Sequence, residues 1–179
     1  DDSGSAIMST PGKSPLVSIV MPYYDHDKYL VEAVNSVEAL QYPNVELIVV
    51  DDCSPGLHAE DILRHHSFKN LKIVKHEQNR GHVDAKNTGI KHCHGELIVP
   101  LDSDDLLDPE YLTHTISAIE DKNVGVVLTD VNVFGDQQYT YTPARTKLDF
   151  TKLRTPSNTF LAKREAFKSV GFYDENLKY

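Results

Sequence analysis

The chain has 179 residues, 40% of them hydrophobic and 25% charged, which suits one well-buried domain of ordinary globular composition. Its net charge of −9, with no basic stretch to override it, excludes a nucleic-acid surface and means that an anionic ligand needs a metal ion or backbone amides to hold it. The two cysteines, Cys53 and Cys93, match no zinc spacing and read as free thiols in a reducing compartment, and no apolar run suits a membrane span or a signal peptide.

Residues 1–14 mix Ser, Gly, Pro and acids without periodicity and read as a disordered leader or cloning remnant, leaving 15–179 as one domain. The apolar, β-branched run at 16–21 predicts a strand stopped by Pro22. Leu30, Ala33, Val34, Val37 and Leu40 fall on one helical face, with Asp25 or Asp27 to cap its start and Tyr42-Pro43-Asn44 to end it. The unit then recurs: strand 45–50, helix 59–66, strand 71–75, helix 83–93 and strand 97–101. Near-continuous apolar strands alternating with helices predict an α/β fold with a mostly parallel sheet covered on both faces. Right-handed crossovers put every strand C-terminus on one edge, outside which ligands bind in open sheets. Residues 22–25, 51–54, 76–81 and 102–105 meet there. Beyond them, Pro109 starts a helix carrying Tyr111, Leu112, Ile116 and Ile119, and 125–129 reads as a strand. A short mixed β region follows: 131–134 and 139–141 alternate around Gly135-Asp136 as a hairpin or two short strands, and 159–162 is a strand leading to a helix at 164–169 closed by Gly171-Phe172. Residues 142–156, with Arg145, Lys147, Lys152 and Arg154, read as a loop.

The fourth parallel strand runs straight into Asp102-Ser103-Asp104-Asp105. Carboxylates at alternate positions repel one another unless a cation or hydrogen-bond donors sit between them, so Asp102 and Asp104 suggest a hard-cation site. An acidic run also makes a solvated turn or a helix start, and the residues alone leave both readings open. Asp105 is expected to help start the helix at Pro109. His82, His92 and His94 lack supporting carboxylates and read as surface imidazoles. No Gly-x-Gly-x-x-Gly follows a strand, which disfavours a nicotinamide dehydrogenase.

In order and spacing, five segments resemble the family 2 glycosyltransferases, the inverting nucleotide-sugar enzymes of the GT-A fold. They are Val17-Ser18-Ile19-Val20-Met21-Pro22-Tyr23-Tyr24-Asp25, Glu46-Leu47-Ile48-Val49-Val50-Asp51-Asp52-Cys53-Ser54, Asn79-Arg80-Gly81 with Lys86-Asn87-Thr88-Gly89, Leu101-Asp102-Ser103-Asp104-Asp105, and Val170-Gly171-Phe172-Tyr173-Asp174-Glu175. The resemblance implies that Asp104, seconded by Asp102, holds a Mn or Mg ion on the diphosphate, with Asp102 or Ser103 also toward the ribose. It implies that Asp52 accepts from the base, that Pro22 shapes the first loop and that Tyr24 stacks on the base. Gly81 and Lys86 would lie near the donor, although most relatives carry Arg where Lys86 stands, and a lysine lacks the bidentate fork. The implied donor is a UDP-sugar and the acceptor a hydroxyl on a glycan or lipid-linked molecule, as in polysaccharide, glycolipid or cell-envelope synthesis. The implied location is the cytoplasm, at the inner membrane face through other regions or partners. In the family the catalytic base lies in an acidic pair past the segment ending near Leu177, so it is expected beyond Tyr179, in a chain truncated at its C-terminus that binds donor but turns over poorly. Asp174 reads as structural.

Two rivals remain. A phosphoacceptor receiver domain starting at Val45 would use Asp51, Asp52 and Asp102 with Thr129 and Lys147 or Lys152, on a doubly wound sheet that serves either function. A non-catalytic nucleotide-binding remnant is the other.

Overall fold

The computed structural model of the chain describes residues 14–142 and 158–176. The expected leader, apart from Ser14, and the expected loop, apart from Thr142, lie outside the described residues.

β1 (Val17–Tyr23) is buried at all positions because it runs through the centre of the sheet. Pro22 does not stop it. β1 pairs with β2 (Val45–Asp51) in parallel as far as Tyr23↔Asp51, but its pairing with β4 (Leu97–Pro100) ends at Val20↔Pro100. Val20 faces β4, its carbonyl accepting from Leu101, and Tyr23 faces β2, its carbonyl accepting from Asp52. By alternation Pro22 faces the β4 side, past the end of β4, where its missing N–H leaves no ladder bond unmade.

α1 (Asp27–Glu38) buries Leu30, Ala33, Val34 and Val37 as the spacing predicts. Neither expected acid caps it. His26 occupies the N-cap position without a side-chain cap bond, and Asp25, at φ 55°, gives its N–H to Ser54 Oγ. Asp27 sits in the first turn, where a negative charge suits the positive helix end. α2 (Ala59–Leu63) stops short of the predicted 66, as the His66 ring turns the chain out by accepting from Phe68 N–H and meeting Asn35 at 2.9 Å. β3 (Leu71–Lys75) joins β2 in parallel at the predicted bounds, and α3 (His82–Lys91) returns the chain to β4.

α4 (Tyr111–Ile119) begins two residues after Pro109, because the Pro109 carbonyl is taken by the Gln41 N–H at 2.8 Å. The acid that shapes its start is Asp108, accepting from Glu110 N–H at 2.8 Å, and not Asp105. β5 (Val126–Val127) is shorter than predicted. As the terminal strand of its sheet it has one neighbour, β8 (Leu161–Lys163), which runs antiparallel between β5 and β4. β6 (Val131–Val133) and β7 (Tyr139–Tyr141) form the predicted hairpin as a separate sheet, and α5 (Arg164–Val170) closes on Gly171.

The six-stranded order is β3-β2-β1-β4-β8-β5. Alternate residues of β1 feed two cores: Val17, Ile19, Met21 and Tyr23 pack with α1, α2 and α4, and Val20 packs with α3 and α5. The fold is therefore mixed α/β with its first four strands parallel, and their C-terminal ends share one edge.

Candidate functional site

That edge carries a cavity of about 710 Å³, lined by every residue the sequence nominated: Pro22, Tyr24, Asp52, Gly81, Lys86, Asp102, Ser103 and Asp104. His26, Asn79, His82, Asn158, Tyr173 and Asp174 complete much of its wall.

The two adjacent acids at the end of β2 face opposite ways. Asp51 is structural: it accepts from Ser54 N–H and Ala59 N–H and meets His58 Nδ1 at 3.0 Å, so it ties down the start of α2. Asp52 turns toward the cavity. Its Oδ1 takes Arg80 N–H at 2.9 Å and lies 2.6 Å from His76 Nδ1, and its Oδ2 takes Gly81 N–H at 2.7 Å. A carboxylate has about four acceptor sites, so one on Oδ2 is left for a ligand N–H. Asp52 thus also fixes the loop before α3, where Gly81 adopts φ 93° and begins the helix, a backbone region that glycine enters without penalty.

Lys86 is not the solvated helix residue that its surroundings in sequence allow. Its side chain is 5% exposed and its Nζ lies 2.9 Å from Asp102 Oδ1. α3 seats deeply because Gly89 has no Cβ: one built there would fall 2.3 Å from Val20 Cγ1 and 3.2 Å from Val50 Cγ2. Asp102 also lies 3.5 Å from His82 Nε2 and accepts from Asn158 Nδ2 at 3.0 Å. Burial pushes its carboxyl up, but the Lys86 charge and hydrogen bond, with His82 and Asn158, outweigh that and hold it below the ordinary carboxylate range.

Asp104 is different. Its side chain is half exposed, and His26 Nδ1 lies 4.0 Å from its Oδ2 and 3.3 Å from the buried Ser103 Oγ. Asp105 sits among these charges; crowding by surrounding protein, and then Asp102 and Asp104, push its carboxyl up to about 6 although the residue is exposed. Burial and the Lys86 charge hold the His82 imidazole down against the pull of Asp102, Asp104 and Asp52.

Among the described residues no group of three or more His, Cys, Asp or Glu side chains is placed to hold a metal ion alone. A Mg or Mn ion on a diphosphate needs no such cage, since one or two carboxylates plus phosphate oxygens and water complete its shell. The oxygen donors Asp104 and Asp102 fit that arrangement. Asp104 is the more available, because Asp102 already carries the Lys86 charge.

Tyr24 is 42% exposed at the cavity wall, whereas its neighbour Tyr23 is the core residue, 1% exposed with its hydroxyl donating to the Leu57 carbonyl. His92 and His94 stand away from the cavity, against the Thr88 carbonyl and Glu46. His82 does line it, which corrects its reading as a plain surface imidazole. Sequence reasoning gave no part to His26, His76, Asn87, Asn158 or Tyr173. The segment 76–81 flagged the neighbourhood of His76, and the segments that carry the resemblance contain Asn87 and Tyr173 without a role for either, but Asn158 returns to the edge from far along the chain without a local pattern.

An uncharacterized glycosyltransferase of Rickettsia typhi is 35% identical over 184 residues, covering 93% of this chain and 56% of that protein. The Staphylococcus aureus TarS 1–349 structure in complex with UDP matches with TM-score 0.78 at 25% identity, over 91% of this chain and 51% of that one. A Pyrobaculum calidifontis mannosyltransferase, solved with GDP-Man and Mn2+, shares the fold with TM-score 0.72 at 23% identity, over 93% of this chain and 50% of that one. The chain thus spans about half the length, or less, of the relatives it matches. The Glycosyl transferase family 2 model matches residues 18–176, from the second residue of β1 to the turn after α5, and the chain belongs to that family.

Proposed function

We propose that this chain is the donor-binding GT-A domain, residues 15–179, of a metal-dependent inverting glycosyltransferase that uses a UDP-sugar and a hydroxyl acceptor on a glycan or lipid-linked molecule. The observation that carries the reading is the division of labour in the acid cluster: Lys86 neutralises Asp102, and Asp104 is left open at the cavity. Relatives support the donor class, since TarS has been solved with UDP and with UDP-GlcNAc and is named a poly(ribitol-phosphate) β-N-acetylglucosaminyltransferase.

In this reading Tyr24 stacks on the base, the remaining Oδ2 acceptor of Asp52 takes a base N–H, and Gly81 lets the backbone approach. Asp102 and Ser103 orient the ribose and diphosphate, and Asp104 with Asp102 would hold a Mn or Mg ion. Such an ion supplies Lewis-acid neutralisation of the leaving diphosphate. The step carried by these residues is donor binding.

A receiver domain is not favoured. β1, which that reading treats as an addition before Val45, lies in the middle of the sheet between β2 and β4, and Asp102, which it would use as the phosphoacceptor, is paired with Lys86.

Thermal unfolding with UDP, with and without Mn, tests the proposal. UDP should raise the melting temperature with the metal and much less without it, and Asp104→Ala should abolish the metal-dependent part. An equal shift with and without metal would remove the cation, and an unchanged shift in the variant would remove Asp104.

A further inference from the structure

Tyr173 and Asp174 form the wall of the cavity contributed by the turn after α5. That turn holds two successive left-handed residues, Gly171 at φ 92° and Phe172 at φ 67°. Glycine enters this region freely, but for Phe172 it costs about 1–3 kcal/mol and persists only where the surroundings over-determine it.

Asn87 supplies the restraint. Its Oδ1 accepts from Tyr173 N–H at 3.0 Å and its Nδ2 donates to the Tyr173 carbonyl at 2.9 Å, with a second donation to Glu175 Oε1 at 3.1 Å. One buried amide, 1% exposed, thus satisfies both backbone groups of a residue 86 positions away. The Tyr173 ring is held from the other side by Phe167, centroids 6.0 Å apart. Its hydroxyl has no hydrogen-bond partner among the described residues, yet the residue lines the cavity together with Lys86, Asp102, Ser103 and Asp104. A phenol so placed is an open donor. It shares the cavity lining with Asp102, which the donor reading above assigns to the diphosphate.

We propose that Tyr173 contacts the donor, its hydroxyl donating to an oxygen of the diphosphate-sugar portion, and that Asn87 is the positioning residue that delivers it. This rests on the donor reading above. The contact deepens it by adding a neutral donor where charge neutralisation alone would not discriminate phosphate from sugar oxygens.

Calorimetric titration of the chain with uridine, UDP and UDP-GlcNAc in the presence of Mn tests it, using Y173F, N87A and the double variant. Y173F keeps the ring and its packing on Phe167 and removes only the hydroxyl, so the contact is tested even where N87A does not fold. Y173F should lower the ratio of UDP-GlcNAc to uridine affinity about tenfold, the value of one good hydrogen bond. A parallel fall for UDP assigns the contact to phosphate, and an unchanged UDP ratio assigns it to the sugar. N87A should cause a similar fall alone and less than a twofold further fall in the Y173F background, because it acts through the hydroxyl. An unchanged ratio in Y173F overturns the contact, and an equal N87A cost in both backgrounds overturns the positioning role. Wild-type protein that binds uridine and UDP-GlcNAc equally, or neither, overturns the donor reading and this contact with it.

Discussion

Asp52→Asn changes one atom of a side chain 3% exposed, and the geometry makes it a stability variant as well as a binding one. The carboxylate receives His76 and Arg80 on Oδ1 and Gly81 on Oδ2. An asparagine has one acceptor oxygen. If that oxygen faces His76 and Arg80, its NH₂ meets the Gly81 N–H donor to donor; if it flips, two partners are lost instead of one. The better orientation leaves one buried N–H unsatisfied, about 1–3 kcal/mol, and converts two charge-assisted hydrogen bonds to neutral ones at about 1 kcal/mol each. The expected loss is about 3–5 kcal/mol, a large share of the roughly 5–15 kcal/mol typical of a domain. At roughly 2–4 °C per kcal/mol for this size, the melting temperature should fall by about 6–20 °C. Urea unfolding followed by circular dichroism measures it. Asp52→Asn within about 0.5 kcal/mol of wild type would show that these bonds contribute little and that Asp52 serves the ligand alone.

Gly89→Ala should destabilise by about 1–2 kcal/mol despite the better helix propensity of alanine, because its Cβ meets Val20 Cγ1 at 2.3 Å; a variant as stable as wild type in urea would mean that α3 shifts freely. Lys86→Met should cost about 1–3 kcal/mol at pH 7 by removing the buried cation that pairs with Asp102, leaving it only His82 and Asn158. Asp102 is held below its unfolded value near 3.8, so its contribution is present above that pH and fades as pH falls through the folded value; the Lys86→Met penalty should shrink in the same window, and a penalty constant from pH 7 to pH 3 contradicts the pairing. On the opposite edge, burial raises the Glu46 carboxyl but hydrogen bonds from Ser18, His94 and Gly95 prevail and hold it below its usual value. Glu46→Gln should therefore cost about 1–2 kcal/mol at neutral pH, less below about 4.5, without changing UDP affinity; weakened UDP binding would mean that the two edges are coupled.

The strands and the shared edge were legible because buried parallel strands are written as short apolar runs, and 45–50 and 71–75 sit within a residue of β2 and β3. Pro22 misled because its effect depends on which neighbour its N–H would face, which is decided by the length of β4 and not by the residues around the proline. The start of α4 depends on Gln41, nearly 70 residues before it, claiming the Pro109 carbonyl. In the site, acids placed at strand ends by the fold could be found, but their separate tasks could not. Asp51 and Asp52 differ only in which side of the β2 end they face, and Asp102 differs from Asp104 by a lysine arriving from α3.

α3 explains why Lys86-Asn87-Thr88-Gly89 occurs as a block. Successive helical residues point about 100° apart, so Lys86, Asn87 and Thr88 together sweep about 200° of the helix surface. Three polar residues over that arc would ordinarily form the solvated face of an amphipathic helix, but Lys86 and Asn87 are buried. Here each reaches a different wall of the cavity: Lys86 the Asp102 end of β4, Asn87 the Tyr173 turn, and Thr88 Oγ1 the His76 ring at 2.9 Å, which in turn stands on Asp52. Gly89 then sets the depth, since its contact with Val20 and Val50 draws the helix onto β1 and β2 until all three side chains span the gap. A shift of α3 away from the sheet would loosen the Asp52 end, the Asp102 end and the Tyr173 wall at once. That is why Gly89→Ala should weaken UDP binding by more than its modest effect on stability suggests, although the added methyl touches no part of the cavity.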